Sequence, residues 1–257
     1  MIKIENLYKA FGSKQVLNGV DLEIPDSQTI CIIGKSGCGK SVLLKHIVGL
    51  LDPDKGRVLV DDLQIDKLNK NQLFDLRRNM GFVFQGAALF DSMSVYENVV
   101  IGQYEHGVRD LNLLIDEAQR TLSAVGLLPD YEEKDSANFI KEWNILKVKK
   151  PADLSGGMKK RVGVARALVG SPKYIFYDEP TTGLDPVTSE QIDDLIAKLA
   201  KKFKVTSIVI THDMFSVFCI ADTTIMLDQG KVRFQGVPDE LNKSEDPIVI
   251  EFLDRYK

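Results

Sequence analysis

Gly34-Lys35-Ser36-Gly37-Cys38-Gly39-Lys40-Ser41 decides how this chain is read. The stretch fits the spacing G-x-x-x-x-G-K-S/T, in which glycines let the backbone turn tightly and aim its N–H groups at phosphate oxygens. Its surroundings suit that use. Thr29 to Gly34 (TICIIG) is a short apolar run rich in β-branched residues, which predicts a buried strand. Ser41 to Leu50 (SVLLKHIVGL) has helical periodicity, so the loop opens a helix whose positive end meets the anion. Leu51 to Gly56 (LDPDKG) is turn chemistry. On this reading the loop from Gly34 to Ser41, with Lys35, Ser36, Gly37, Cys38 and Gly39 inside it, wraps the β- and γ-phosphates of a nucleotide. Lys40 bridges their oxygens and the Ser41 hydroxyl ligates Mg²⁺. Cys38 stands at a helix N-terminus, where a thiol pKa can fall, but a plain loop residue is the expectation. The motif alone does not separate kinases, GTPases and motor ATPases.

Further along, Tyr174-Ile175-Phe176-Tyr177-Asp178-Glu179 is an aromatic-rich strand ending in two acids. Carboxylates at the end of a buried strand are not there for solubility. Next to a phosphate loop, Asp178 is expected to hold Mg²⁺ and Glu179 to polarise the attacking water as general base.

The remaining pattern alternates strands and helices. Ile2, Ile4 and Leu7 predict a half-buried strand over residues 2–8, and others are expected at Val20 to Ile24, Gly81 to Gln85 and Val205 to Thr211. Asp228-Gln229-Gly230 between Thr224–Leu227 and Lys231–Phe234 is a hairpin signature. Leu111, Leu114, Ala118, Leu122 and Val125 fall on one helical face. Ile192, Leu195, Ile196, Leu199 and Phe203 form another, with Pro186 suited to a first helical turn. Residues 128–150 are polar and lysine-rich, carry the only tryptophan, Trp143, and read as a surface excursion. Asp246-Pro247 and the apolar residues after it predict a short terminal helix within residues 240–257. The whole reads as one α/β domain over 1–257, with a mainly helical subdomain inserted at roughly 86–165.

Composition narrows the function. Lys+Arg of 33 against Asp+Glu of 37 gives a net charge of -4, which disfavours a nucleic-acid partner. Three cysteines at unpatterned spacings (Cys31, Cys38, Cys219) predict reduced thiols. The start, MIKIENLYKAFG, has no secretion-signal pattern. No run approaches the roughly 18 to 20 apolar residues that span a bilayer, so work at a membrane would need another chain to do the spanning.

Leu154-Ser155-Gly156-Gly157-Met158 opens a helical pattern running through Ala167, a second helix start suited to an anion. With that segment, the chain from about Ile2 to about Asp239 resembles the ABC ATPases. The resemblance implies a P-loop NTPase fold of the ABC ATPase type: a mixed sheet core with N-terminal antiparallel strands and the inserted helical subdomain. Leu154 to Met158 resembles the ABC signature, so Ser155, Gly156 and Gly157 are implied to contact nucleotide. Gln85 matches the glutamine of the Q-loop, with catalytic and Mg²⁺-binding roles. Phe11 matches the aromatic that stacks on adenine, Gly183-Leu184-Asp185 the D-loop, and His212 the switch histidine. ATP and Mg²⁺ are the implied cofactors. A second copy of the chain is the implied partner, in a head-to-tail sandwich where each phosphate loop faces the other copy's signature.

Ser155 to Leu168 (SGGMKKRVGVARAL), Phe84 to Val99 (FQGAALFDSMSVYENV) and Tyr177 to Ser189 (YDEPTTGLDPVTS) are similar to the ATPases of Mla-type lipid transporters, which pair with Mce-domain proteins. Met158 stands where the common signature has glutamine. The similarity implies phospholipid transport between membranes, integral permease subunits, an Mce-domain lipid-binding protein, and a peripheral place on the inner face of the cytoplasmic membrane. An ATPase for amino acids or other small solutes carries the same motifs. A soluble ABC ATPase in cofactor assembly is the reading from another class. Ala87, Ala88, Leu89 and Phe90 either form the groove for a permease's coupling helix or face the core. Residues 128–150 run longer than is usual for this branch.

Overall fold

The computed structural model describes residues 1–254. In chain order the first elements are β1 (Ile2–Phe11), β2 (Lys14–Ile24), β3 (Thr29–Ile33), α1 (Lys40–Ile47), β4 (Lys55–Val60), β5 (Leu63–Gln64), α2 (Lys70–Arg77) and β6 (Met80–Val83). Then come α3 (Val95–Glu105), α4 (Leu111–Ala124), α5 (Ala137–Leu146), α6 (Gly156–Leu168), β7 (Tyr174–Asp178) and α7 (Pro186–Phe203). The last are β8 (Thr206–Ile210), α8 (Met214–Ile220), β9 (Thr223–Asp228), β10 (Lys231–Gly236), α9 (Pro238–Leu241) and α10 (Pro247–Asp254). The chain forms two compact units: residues 1–77 together with the chain from residue 200 onward, and residues 78–199.

The first unit holds two sheets. One is antiparallel in the order β2-β1-β4-β5. In the other, β10 pairs antiparallel with β9, while β9 and β8 flank β3 in parallel, so this sheet is mixed. Every residue of β3 and β8 is buried, which is why both read as unbroken apolar runs rather than alternations. In β1 the buried set is Ile2, Ile4 and Leu7. The step from 4 to 7 changes parity because the register with β2 shifts there and Asn6 adopts a φ of 48°. One extra residue in a strand turns every later side chain to the opposite face. The β9–β10 turn has φ of 46° at Gln229 and 74° at Gly230, the two left-handed residues of a tight hairpin. At Gly230 a Cβ would lie 2.3 Å from the Val16 carbonyl oxygen, so glycine is needed for space as well as for φ. The expected terminal helix is α10, with Val249 and Phe252 buried; residues 255–257 of that segment lie outside the described ones.

In the second unit β6 and β7 pair in parallel, with Val83 opposite Tyr177. From 86 to 165 the chain contains helices and turns and no strand, the helical subdomain that the pattern implied. Helix α3 starts with a reciprocal capping box between Ser94 and Glu97. Two expectations fail here. Leu111 does not share the buried face of α4, being 65% exposed; that face is Leu114, Ala118 and Leu122. Leu111 is the first helical residue, and the buried stripe begins one turn later. Residues 128–150 are not a surface excursion either. Ser136 caps α5, and Phe139, Trp143 and Leu146 bury one face of it. Trp143 is 6% exposed and meets Tyr96 edge-on, with ring centroids 5.9 Å apart. Polar and charged flanks on both sides of this ten-residue helix set the average character of the stretch and hid its period.

Trp143→Ala is expected to lower the unfolding free energy by about 3–5 kcal/mol in urea denaturation, the cost of emptying a packed aromatic site. Leu111→Ala in the same assay is expected to change it by less than about 0.5 kcal/mol.

Candidate functional site

The first unit carries the phosphate loop, between buried β3 and α1. Three of its glycines have left-handed or mirror-extended backbone, with φ of 143° at Gly34, 78° at Gly37 and 113° at Gly39. A Cβ at Gly34 would lie 2.2 Å from the Leu227 carbonyl oxygen, and one at Gly39 would lie 2.8 Å from Leu17 Cδ2. The Lys40 N–H is turned to the Cys38 sulfur, whereas those of Gly37, Gly39 and Ser41 have no acceptor among the described residues. They form a set of free donors at the positive end of α1, which is what a polyphosphate requires. Lys40 Nζ donates to the carbonyls of Gly34 (2.7 Å) and Lys35 (3.2 Å), so its ammonium is held at this loop. Lys35 Nζ pairs with Glu251 of α10 at 2.9 Å. Cys38 is buried, and burial pushes its thiol above the ordinary value although the Lys40 charge pulls it down. A raised thiol is the opposite of an activated one.

Phe11 ends β1 and is 49% exposed, with Lys9 Nζ 5.8 Å from its ring centroid. The strand before it is pinned by Asp54, whose carboxylate accepts from Ala10 N (2.7 Å) and Lys9 Nζ (2.9 Å). His212 lies exposed in the turn between β8 and α8.

The second unit carries the acids, the glutamine and the signature. Tyr174 to Tyr177 are fully buried, and Asp178 is the residue at which β7 emerges. Glu179 follows with a φ of 51°, and its Oε2 accepts from Thr182 Oγ1 at 3.0 Å. Because Val83 and Tyr177 are opposite in parallel strands, Gln85 and Glu179 leave the same end, each two residues further on. Lys160 of α6 joins them by donating to the carbonyls of Gln85 and, at 3.4 Å, Glu179.

The apolar segment after Gln85 is partly buried and partly exposed. Ala87 is buried, whereas Phe90 is 51% exposed. Ala87 and Ala88 both have positive φ, of 62° and 44°. Arg166 holds that backbone by donating to Ala88 O (2.8 Å) and Ala87 O (2.7 Å). Buried Asn98 accepts from Phe90 N (2.7 Å) and donates to the carbonyls of Phe90, Met93 and Ser94.

Ser155 is the N-cap of α6, its Oγ accepting from Met158 N at 3.2 Å. Gly156 and Gly157 let α6 approach Leu184 and Thr188 closely. Ser155 to Met158 and Gly183 to Asp185 thus line one groove of about 580 Å³, together with Arg161. Asp185 caps α7 through Thr188 N (3.0 Å) and Thr188 Oγ1 (2.6 Å). Those two bonds hold its carboxyl below the ordinary range.

Lys160, Arg166 and Asn98 are absent from the residues picked out by sequence. The signal for Lys160 was present in the periodicity: it stands three, four and seven residues before Gly163, Val164 and Ala167, all buried. Among the described residues no cluster of three or more His, Cys, Asp or Glu could hold a metal ion by itself.

A model of ABC transporters matches residues 17–182. The chain belongs to the ABC transporter family. It is an ATPase cassette, which binds ATP and hydrolyses it. The chain is 34% identical, over 98% of its length and 90% of the relative, to the intermembrane phospholipid transport system ATP-binding protein MlaF of Haemophilus influenzae. It is 37% identical, over 98% of its length and 71% of the relative, to the methionine import ATP-binding protein MetN of Carboxydothermus hydrogenoformans. Among solved structures it resembles the dimeric post-hydrolysis state of the ATP-binding cassette MJ0796 bound to ADP and Pi, at a TM-score of 0.78 and 30% identity over 93% of this chain and 99% of that one.

Gly34→Ala is expected to weaken ATP binding by more than roughly tenfold in a calorimetric titration. The added methyl must displace the Leu227 backbone, and core backbone shifts of that kind cost about 1–3 kcal/mol.

Proposed function

We propose that this cassette energises the movement of phospholipid between membranes, as the peripheral ATPase of an Mla-type transporter. The observation that carries the reading is the match to a phospholipid transport ATPase along nearly the whole of both chains. The Met158 signature, the Phe84 to Val99 stretch and the Tyr177 to Ser189 stretch support it, because they are similar to that branch. The partners on this reading are a second copy of the chain, integral permease subunits and an Mce-domain lipid-binding protein. The dimeric cassette to which this chain is similar supports the first of these. No helix among the described residues is long and apolar enough to cross a membrane, so the permease does the spanning. The cassette then works on the inner face of the cytoplasmic membrane. Phe90, exposed on an anchored loop, offers the permease an apolar contact.

Within each cassette the roles follow from the chemistry of the groups together with the resemblance to the ABC ATPases. The donors of Gly34 to Ser41, with Lys35, Ser36, Cys38 and Lys40 among them, hold the phosphates, and Phe11 stacks on the adenine. Ser41, Gln85 and Asp178 would hold Mg²⁺, which when bound offsets phosphate charge. A hydroxyl, an amide oxygen and one carboxylate suit an ion that fills its remaining positions with phosphate oxygens and water. Glu179 accepts the proton of the attacking water. His212 donates toward the γ-phosphate. Ser155, Gly156, Gly157 and Asp185 face the nucleotide of the other copy. A solute importer is the second reading, favoured by the comparable identity to a methionine import ATPase.

Glu179→Gln is expected to bind ATP, to hydrolyse it at least roughly a hundredfold more slowly, and to accumulate as an ATP-bound dimer in size-exclusion chromatography. Normal turnover would remove Glu179 from the reaction. Detergent extraction of the tagged protein, with mass spectrometry of bound proteins and lipids, tests the cargo. A multi-span permease, an Mce-domain protein and enriched phospholipid support the lipid reading. A solute permease with a solute-binding protein replaces it, and soluble partners alone remove the transporter.

A further inference from the structure

Lys160 is buried to 5% exposure in α6, five residues after the N-cap Ser155. A buried ammonium loses its hydration, and such groups persist where specific acceptors replace the water. Here the acceptors are two main-chain carbonyls, those of Gln85 and Glu179. Each belongs to a segment that has just left its strand. Beyond Val83 and Tyr177 no further pair joins β6 to β7, and the backbone turns left-handed at Glu179 on one side and at Ala87 and Ala88 on the other. Positive φ at non-glycine residues costs free energy and survives only where neighbours hold it. The ammonium takes the place of the missing ladder bonds and fixes the distance between the two exits.

We propose that Lys160 is a positioning residue that ties the Gln85 segment and the signature helix to the backbone of Glu179, so that displacement of either is felt at the hydrolytic carboxylate. The inference rests on the roles proposed above for Gln85 and Glu179. Burial lowers the Lys160 pKa, and the nearby Glu179 carboxylate raises it, so the ammonium is in the field of the group it positions. A purely structural lysine could be replaced by an apolar residue of similar length without selective loss of turnover.

The test compares Lys160→Met, Lys160→Arg and Glu179→Gln in the full chain, measuring ATP affinity, KM, kcat and melting temperature. Lys160→Met keeps the length of the stem and removes the donor. It is expected to bind ATP within about twofold of the parent, while kcat falls roughly tenfold to a hundredfold, the penalty typical of a displaced catalytic group. Lys160→Arg, which keeps a buried cation with several donors, is expected to recover part of kcat. An unchanged kcat in Lys160→Met, beside a silent Glu179→Gln, overturns the inference. So does a fall in kcat that comes with an equal loss of ATP affinity and is not relieved in Lys160→Arg. Should Lys160→Met not fold, Lys160→Gln supplies the same comparison with an uncharged donor. Turnover in Glu179→Gln instead overturns the reading of Glu179 itself, and the coupling with it.

Discussion

Helix α1 begins shortly after a buried strand with no side chain to cap its first N–H groups. That constraint organises the loop before α1. The strand β3 is buried throughout, so the chain cannot turn back early, and the helix must start within a few residues of its end. Glycines at 34, 37 and 39 make the turn possible by taking φ values that other residues avoid. Ordinary helices meet their free donors with a serine or aspartate cap, and α4, α5 and α6 all do so. Helix α1 has Gly39 in that position and no side-chain cap. Leaving such donors bare is a local cost to stability, of the kind that a ligand binding only the folded state offsets.

The second unit meets a related difficulty by other means. Its two parallel strands stop at Val83 and Tyr177 to Asp178, and the residues that follow must hold irregular backbone near a helical layer. Carbonyls that leave a ladder and are partly shielded from water need other donors. Lys160, Arg166 and Asn98 meet them from α6 and α3. These side chains present several donors on long or forked stems, so one residue can satisfy two carbonyls. The irregular segments are therefore fixed in place, which a reacting geometry needs more than it needs flexibility.

How much of this was legible in the sequence depends on whether the signal was local. The phosphate loop, β7 and the β9–β10 hairpin were readable because each is a contiguous pattern with its own turn residues. The shift at Asn6 was not, since a bulge is set by the pairing of β1 with β2. Helix α5 was missed because it is short, lies between polar flanks, and carries exposed Ile140 and Ile145 beside its buried Phe139, Trp143 and Leu146, which blurs the period. The roles of Lys160, Arg166 and Asn98 were invisible for a different reason. Their acceptors are main-chain carbonyls, which every residue has, so no side-chain pattern marks the partner. Strand β4 escaped because Lys55 to Arg57 are exposed and only Val58 and Val60 are buried, too short an alternation to stand out.

The departure at Met158 can be weighed on the same terms. In this cassette the bond that shapes the signature runs from the backbone N–H of residue 158 to Ser155 Oγ. A backbone donor is indifferent to the side chain it carries, so methionine in place of glutamine leaves the cap of α6 intact. Gly156 and Gly157, which allow Leu184 and Thr188 to come close, are likewise untouched. What is lost is one amide that could have reached a phosphate or a neighbouring carbonyl, a single polar contact beside a groove still lined by Ser155, Gly156, Gly157 and Arg161. The substitution is therefore compatible with a working motor. On these terms the choice between lipid and solute rests on the partners that dock and not on the groups that split ATP.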